Sequence, residues 1–311
     1  MRRDVSDVTP DIVRDLVVVF TEDADWHTRM LRRALEREGL RVLVLSLNDC
    51  GFAIGETSHG LLLPGLDGGL PAAAFVRVIA KGTTEQITMR LGVLHALREL
   101  GVKVMNDARA IERCVDKSMT SFLIARAGLP TPRTFVREDP SAMQALIDSA
   151  PGDTVLKPLF GAQGKGLRRL APRELLPDAA KVGGVYYLQE FVEGRQHAGL
   201  YQDWRVFVIG GRAVAAMVRR SERWITNIHQ GAEGEPASLE GPAAEMAVAA
   251  TAAVGADYAG VDLIQEANGS FAMLEVNSMP AWKGLQKTTE TDIAAAMAGH
   301  LAGCLQPAPA A

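Results

Sequence analysis

The stretch VDLIQEANGSFAMLEVN, residues 261–277, constrains this chain more tightly than any other. Asn268-Gly269 sits between two runs of alternating apolar residues, the pattern of a two-residue hairpin turn with both central residues at positive φ. Such a turn pairs Ala267 with Ser270. Counting outward sets Ile264 opposite Met273 and Asp262 opposite Glu275, with Asn277 two residues further along the face of Glu275. Like charges directly opposite on a sheet repel, and Ile264 and Met273 would make their surroundings drier and the repulsion worse. The pairing therefore calls for something positive beside it. Asp262, Glu275 and Asn277 offer only hard oxygen ligands, with no His or Cys nearby, a set that suits Mg²⁺ completed by water and substrate phosphates.

At 311 residues the chain exceeds what one hydrophobic core usually supports, so two or three subdomains are expected, and a 48% hydrophobic composition is ample for burying them. Lys plus Arg number 33 against 37 for Asp plus Glu, with no basic block or stripe, which argues against a nucleic-acid partner. The opening MRRDVSDVTPDIVRDLVVVF carries charges throughout, and its apolar run Leu16–Phe20 is too short for a signal core or a membrane span. The expectation is a cytoplasmic protein with no membrane partner. Cys50, Cys114 and Cys304 are widely spaced with no CxxC pair, which reads as reduced, packed thiols rather than a disulfide framework or zinc site.

The first hundred residues alternate apolar, β-branched runs (LVVVF, RVLVLSL, AFVRVI, VKVMN) with helical periodicity near Trp26 to Glu38 and Glu85 to Leu100. That order predicts an α/β region of parallel strands with crossover helices. Gly39, Gly101 and Gly128 sit where helices should stop. After LPTP at 129–132 come a helix around Ser141 to Ser149 and a strand at 154–158. From Tyr186 strands dominate: VYYLQEFV, then DWRVFVIGGRAVAAMVRR turning at Gly210-Gly211, a helix near Ala243 to Val254 and the 261–277 hairpin. This second half reads as α+β. A last helix near Asp292 to Leu305 leads into a PAPAA tail expected to be disordered.

Lys157 opens KPLFGAQGKGLRRL, a strand end feeding a loop with Gly161, Gly164 and Gly166 and with Lys165 inside it. Glycines let backbone N–H groups approach an anion, yet the loop matches neither GxxxxGK[ST] nor GxGxxG, and an isolated cluster of this kind is more often a surface turn. Arg205, Arg219, Arg220, Asn227 and His229 recur along the preceding strands. Alternation lets one of Arg219 and Arg220 face a cleft while the other meets solvent.

Nine stretches, in order, carry a resemblance: DK (116–117), AGLPTP (127–132), VLKPLFGAQGKG (155–166), LQEFV (188–192), DWRVFVIGG (203–211), VAAMVRR (214–220), NIHQG (227–231), GVDLI (260–264) and EVNSMP (275–280). Together they resemble ATP-grasp carboxylate–amine ligases, and within them the RimK-type L-glutamate ligases. The closing EVNSMPAWKGLQKTT is most similar to the branch that glutamylates one-carbon cofactors such as tetrahydromethanopterin. The resemblance implies an ATP-grasp fold with an N-terminal Rossmann-like domain (1–115), a small central lid subdomain (116–188) and a C-terminal antiparallel-sheet subdomain (189–311). It implies that Lys117 and Lys157 contact ATP phosphates, that the Gly161–Gly166 loop with Gly164 and Lys165 closes over them, and that Gln189, Glu190, Phe191 and Val192 form the adenine hinge. Asp203 would end the nucleotide site, and Arg219 and Asn227 would act on the phosphates and acyl group. Apart from the resemblance, Arg77 at the end of AFVRV, where α/β sheets place their crevices, is assigned with Arg205 to substrate binding; the resemblance implies that Asp262, Glu275 and Asn277 hold Mg²⁺, or Mn²⁺ in its place. The implied partners are a small-molecule carboxylate acceptor and L-glutamate, and by family analogy a homo-oligomer. One departure stands out: RimK has two arginines where this chain has Ile225 and Gln230, which argues for a different acceptor. A ligase using another amine, or an ATP-binding regulatory module without turnover, are the rival readings.

Overall fold

The computed structural model describes residues 11–161 and 164–306, so the PAPAA tail lies outside the described residues. Along the chain come β1 (Ile12–Phe20), α1 (Trp26–Arg37), β2 (Arg41–Leu45), a small ribbon of β3 (Gly51–Phe52) and β4 (Leu61–Leu62), β5 (Leu70–Val76), α2 (Thr84–Glu99) and β6 (Lys103–Met105). The strands β2, β1, β5 and β6 lie side by side in that order, all parallel. Val17, Val18, Val19 and Phe20 are all fully buried. Cover on both faces is what makes such a strand read as a continuous apolar run. Two short helices follow, α3 (Ala108–Val115) and α4 (Lys117–Arg126). Gly39, Gly101 and Gly128 end α1, α2 and α4 at positive φ (79°, 84° and 75°), a conformation in which a Cβ would be strained.

The middle of the chain adds β7 (Thr134–Arg137), α5 (Pro140–Asp148), β8 (Thr154–Lys157), β9 (Arg168–Leu170) and β10 (Tyr186–Glu190). These strands form an antiparallel sheet in the order β7-β10-β8-β9. Met143 and Ile147 of α5 pack on Leu156, Leu170, Tyr186 and Leu188 as its separate core.

The last part contains β11 (Tyr201–Ile209), β12 (Arg212–Ser221), β13 (Glu233–Pro236), α6 (Pro242–Val254), β14 (Tyr258–Gln265), β15 (Phe271–Asn277) and α7 (Ile293–Leu305). Its five-stranded antiparallel sheet runs β13-β12-β11-β14-β15. Ala247, Ala250 and Val254 of α6 pack against Val206, Val208 and Val261 on one face. On the other face Phe207, Met217 and Tyr258 share a core with Val17, Val19 and Phe75 of the parallel sheet and with Met297 and Leu301 of α7. Each such side chain contributes about 2 kcal/mol by leaving water, so this shared core welds the first sheet to the last. Among the described residues, no helix is long and apolar enough to cross a membrane. Cys50 and Cys114 are packed as expected, whereas Cys304, in the last turn of α7, is exposed.

The hairpin departs from expectation at its turn. Gly269 N–H donates to Glu266 O (2.9 Å) and Glu266 N–H to Ser270 O (2.8 Å), so the turn spans Glu266–Gly269 with Gly269 at φ 90°. Asn268 does not take positive φ; its Oδ1 instead accepts from Ser270 N (2.8 Å), which holds the chain in a three-residue loop closed by the glycine. Ile264 therefore faces Ala272, and Leu263 faces Met273. Leu274 then bulges out of β15, and the register moves back by one, so Asp262 does lie opposite Glu275. Two one-residue offsets cancel before the acids are reached.

Candidate active-site cleft

A cleft opens between the central sheet and the five-stranded sheet. One wall is the end of β8 with the end of β10 and the two residues after it, which brings Lys157, Gln189, Glu190, Phe191 and Val192 to the surface of the cleft. The other is made by β11, β12, β14 and β15, which contribute Asp203, Arg219, Asp262 and Glu275, together with Asn227 from the connection after β12. Residues far apart in the chain thus meet because two sheets end on a common space.

The acids of the hairpin have the positive company their pairing called for. Arg205 reaches Asp262 with both ends of its guanidinium, Nη2 to Oδ2 at 2.7 Å and Nε to Oδ1. Arg219 Nη2 lies 3.0 Å from Asp262 Oδ1 and also binds Asp203 Oδ2, while its Nε donates to Asp203 Oδ1 at 2.7 Å. Asp203 and Arg219 face each other across β11 and β12, as Arg205 and Asp262 do across β11 and β14. All of Asp203, Arg219 and Asp262 are buried. Burial raises the Asp262 carboxyl, but Arg205 and Arg219 together hold it below its ordinary value. Burial likewise opposes the charge on Arg219, and Asp203 and Asp262 more than restore it, so its affinity for the proton rises. Arg220, the neighbouring residue, turns outward to Glu235.

The second set of cations comes from α4 and β8. Lys117, first residue of α4, donates from Nζ to Gly161 O at 2.8 Å and stands 3.6 Å from Glu275 Oε1. Asp116 caps that helix through Ser118 N (2.8 Å), which aims Lys117. Lys157 Nζ donates to Gln189 Oε1 at 2.6 Å. Burial pushes its ammonium down to about 8, against the pull of Glu275 and Asp262. Lys157 and Arg219 line the cleft, with Lys117 and Arg205 just behind Glu275 and Asp262, so basic groups cluster around the acidic pair although Glu190, Glu193, Asp203, Asp262 and Glu275 also line the cleft.

The oxygen ligands fit a hard cation. Asp262 has three of its roughly four lone-pair directions taken by the arginines, which leaves one on Oδ2. Asn277 Nδ2 donates to Gly260 O at 3.2 Å, turning its Oδ1 the other way. Glu275 keeps part of its surface open to the cleft. Among the described residues there is no group of three or more His, Cys, Asp or Glu that could hold a metal; two carboxylates and an amide suit an ion that takes its remaining ligands from elsewhere.

The segment Glu190–Val192 carries a different signal. Glu190 N–H donates to Arg133 O (2.9 Å) and Phe191 N–H to Asp153 O (3.0 Å), whereas the Val192 N–H has no partner among the described residues. Such a donor lining a cleft is an open hydrogen-bonding position. Phe191 itself is pinned between Arg169 (3.8 Å from the ring centroid) and the edge of Trp224 (5.8 Å). Gly164, at φ 68°, comes so close to the opposite wall that a Cβ would fall 2.8 Å from Gln230 Nε2 and 3.0 Å from Ile225 Cγ2. The loop thus leans on the two positions where this chain lacks arginine. Lys165 and Gly166 are exposed on the same loop.

Arg77 stays away from the cleft lining: buried at the end of β5, it donates to Pro280 O (3.2 Å) and stacks 4.6 Å over the Trp282 ring. Arg205 lies behind Asp262 rather than on the lining. Sequence reasoning overlooked Trp224 and Leu274, both cleft residues. A tryptophan inside the polar stretch SERWITN could have drawn attention to the first, but nothing local announces a bulge at Leu274.

A model of the RimK-like ATP-grasp domain matches residues 114–301. The tetrahydromethanopterin:alpha-L-glutamate ligase of Methanococcus maripaludis is 33% identical over 288 residues, 89% of this chain and 94% of that protein. A probable alpha-L-glutamate ligase of Haemophilus influenzae is 30% identical over 295 residues, covering 89% and 94%. Among solved structures, the ATP-grasp ligase PsnB complexed with minimal precursor, Mg and ADP superposes with a TM-score of 0.73 at 23% identity, over 95% of this chain and 99% of that one. A RimK domain ATP-grasp protein of Sphaerobacter thermophilus gives 0.64 at 19%, over 91% and 98%. With two sheets closing on one polar cleft and nearly full-length relatives, the chain belongs to the RimK-like ATP-grasp family.

Proposed function

We propose that this ATP-grasp ligase joins L-glutamate to a carboxylate of a small-molecule cofactor of the tetrahydromethanopterin kind, releasing ADP and phosphate. The observation that carries the reading is the meeting, in one cleft, of an open N–H at Val192, the cations Lys157 and Arg219 and an opposed carboxylate pair. The names of the relatives support glutamate as the amine and the pterin cofactor as the acceptor.

In this reading adenine docks against Glu190–Val192 and accepts from the Val192 N–H. Lys117 and Lys157 bind the phosphate chain, and the loop carrying Gly164 and Lys165 covers it, which excludes water. An acceptor carboxylate oxygen attacks the γ-phosphorus as the bond to the β-phosphate oxygen breaks, giving an acyl phosphate and ADP. The amino group of glutamate then attacks the acyl carbon; phosphate departs and the amine loses its proton. Carboxylate is a poor electrophile because its charge repels nucleophiles, and phosphorylation supplies the leaving group. The protein's work is positioning and charge neutralisation. Arg219, with Nε and Nη2 committed to Asp203 and Asp262, presents its remaining Nη1 without having to reorganise. Asn227, whose Oδ1 is occupied by His229 N (2.8 Å), offers its amide N–H₂ to the acyl group. Asp262, Glu275 and Asn277 would hold Mg²⁺, or Mn²⁺, which supplies charge neutralisation to the phosphate oxygens when bound.

The test is incubation with ATP, Mg²⁺, L-glutamate and a panel of carboxylates including reduced pterin cofactors, following ADP and the mass of each acceptor. One added glutamyl unit with matching ADP is the expected result. ADP release driven by a different amine would refute the glutamate assignment, and no acceptor-dependent release at all would refute the ligase reading.

A further inference from the structure

The ladder between β14 and β15 is interrupted at Leu274, between the turn and the acidic pair. A turn dictates register only as far as the ladder runs unbroken. The pairing of Asp262 with Glu275 must therefore be set from the opposite end of the hairpin.

At that end stands Asn106, just beyond β6 and fully buried. Its Nδ2 donates to Tyr258 O (2.8 Å), where β14 begins, and to Ser278 O (2.6 Å), one residue past β15. Its Oδ1 accepts from Asp257 N (2.7 Å) and Tyr258 N (3.1 Å). One amide thus spends both donors and its acceptor on the two open strand ends, which no hydroxyl, carboxylate or apolar side chain can match. From this clamp the ladder continues without a break through Gly260–Asn277 and Val261–Val276 to Asp262–Glu275.

We propose that Asn106 is a positioning residue: it sets the stagger of β14 against β15 and with it the spacing of the oxygen ligands Asp262, Glu275 and Asn277. The inference rests on the cation-site reading given above. The parallel sheet contributes no residue to the cleft lining, yet through this amide it would govern how tightly the cleft holds a divalent ion.

The test is Mn²⁺ titration, read by electron paramagnetic resonance, in the presence of a non-hydrolysable ATP analogue. It compares the wild-type chain, Asn106→Ser, and the control Lys103→Met, which removes the 2.7 Å ion pair from the Asp257 side chain but leaves in place the Asp257 backbone N–H that Asn106 uses. Asn106→Ser is expected to weaken Mn²⁺ about 10- to 100-fold, with a much smaller change in analogue affinity, while Lys103→Met binds as wild type. Because Asn106→Ser alone can fail to fold, the same change is also made with Val261→Cys and Val276→Cys, a directly opposed pair whose disulfide would hold the register by other means. Recovery of Mn²⁺ binding on oxidation, and its loss on reduction, is expected. A folded Asn106→Ser chain that binds Mn²⁺ like wild type, or a disulfide-locked chain that stays weak, would overturn the proposal. Absence of Mn²⁺ binding in the wild type would instead refute the cation-site reading itself.

Discussion

Replacing Arg219 by methionine should cost stability and turnover together, and restoring the first should not restore the second. Arg219 is buried and holds Asp203 with two hydrogen bonds, whereas Asp262 keeps Arg205 when Arg219 is gone. The group left stranded is Asp203, a buried carboxylate whose charge no other guanidinium neutralises. Breaking a buried pair from one side costs about 3–5 kcal/mol, while replacing both partners by apolar groups of similar size is often near neutral. Arg219→Met alone should therefore lower stability by about 3–5 kcal/mol, and Arg219→Met with Asp203→Leu should recover at least half of that. The assay is urea unfolding followed by tryptophan fluorescence, since Trp204 sits in β11 edge-on to Phe271 (5.2 Å) and reports on this sheet. ADP release should stay abolished in the double variant, because its folded sheet would still lack the guanidinium that the proposed reaction assigns to the phosphoryl group. A single variant losing under about 1 kcal/mol, or a double variant no better than the sum of the singles, would refute the picture of a mutually neutralised pair.

Glu275→Ala should nearly abolish ADP formation with little change in unfolding midpoint, since Glu275 is partly exposed and its ion pair with Lys117 is long at 3.6 Å; retained turnover at saturating Mg²⁺ would remove Glu275 from the metal set. Lys157, held to about 8 by burial, is half deprotonated near that pH. A bound phosphate chain raises its proton affinity, so ADP binding at pH 8 should take up about half a proton and at pH 6.5 almost none. Calorimetry in buffers of different ionisation enthalpy reads this directly, and Lys157→Met should abolish the uptake; an unchanged uptake would assign the proton to another group. Burial pushes Cys50 up to about 11 and Cys114 up to about 12, so a thiol reagent at pH 8 should label Cys304 alone in the folded chain and all three cysteines after denaturation; rapid labelling of Cys114 in the native state would contradict its packing.

Local pattern determined much of this protein. Apolar runs and helical periodicity place the helices near Trp26, Glu85 and Ala243 to within a residue or so, because period and end glycines are properties of neighbouring residues. The same logic put Asp262 opposite Glu275, yet it did so through a turn that does not form as expected and a bulge at Leu274 that compensates for it. A side chain's choice between capping its own turn and taking positive φ is settled by the strands it joins. Ordered motifs likewise pointed to Lys117, Lys157, Asp203 and Arg219 as members of one site, but not to their pairings. That Asp203 neutralises Arg219, that Lys117 approaches Glu275, and that Asn106 clamps both ends of a hairpin more than 150 residues away (Tyr258 and Ser278) were decided only by the tertiary structure. Such contacts depend on how separate sheets stack, and the free energy that brings them together comes from the shared core around Phe75, Phe207 and Tyr258, not from any pattern within a single strand or helix.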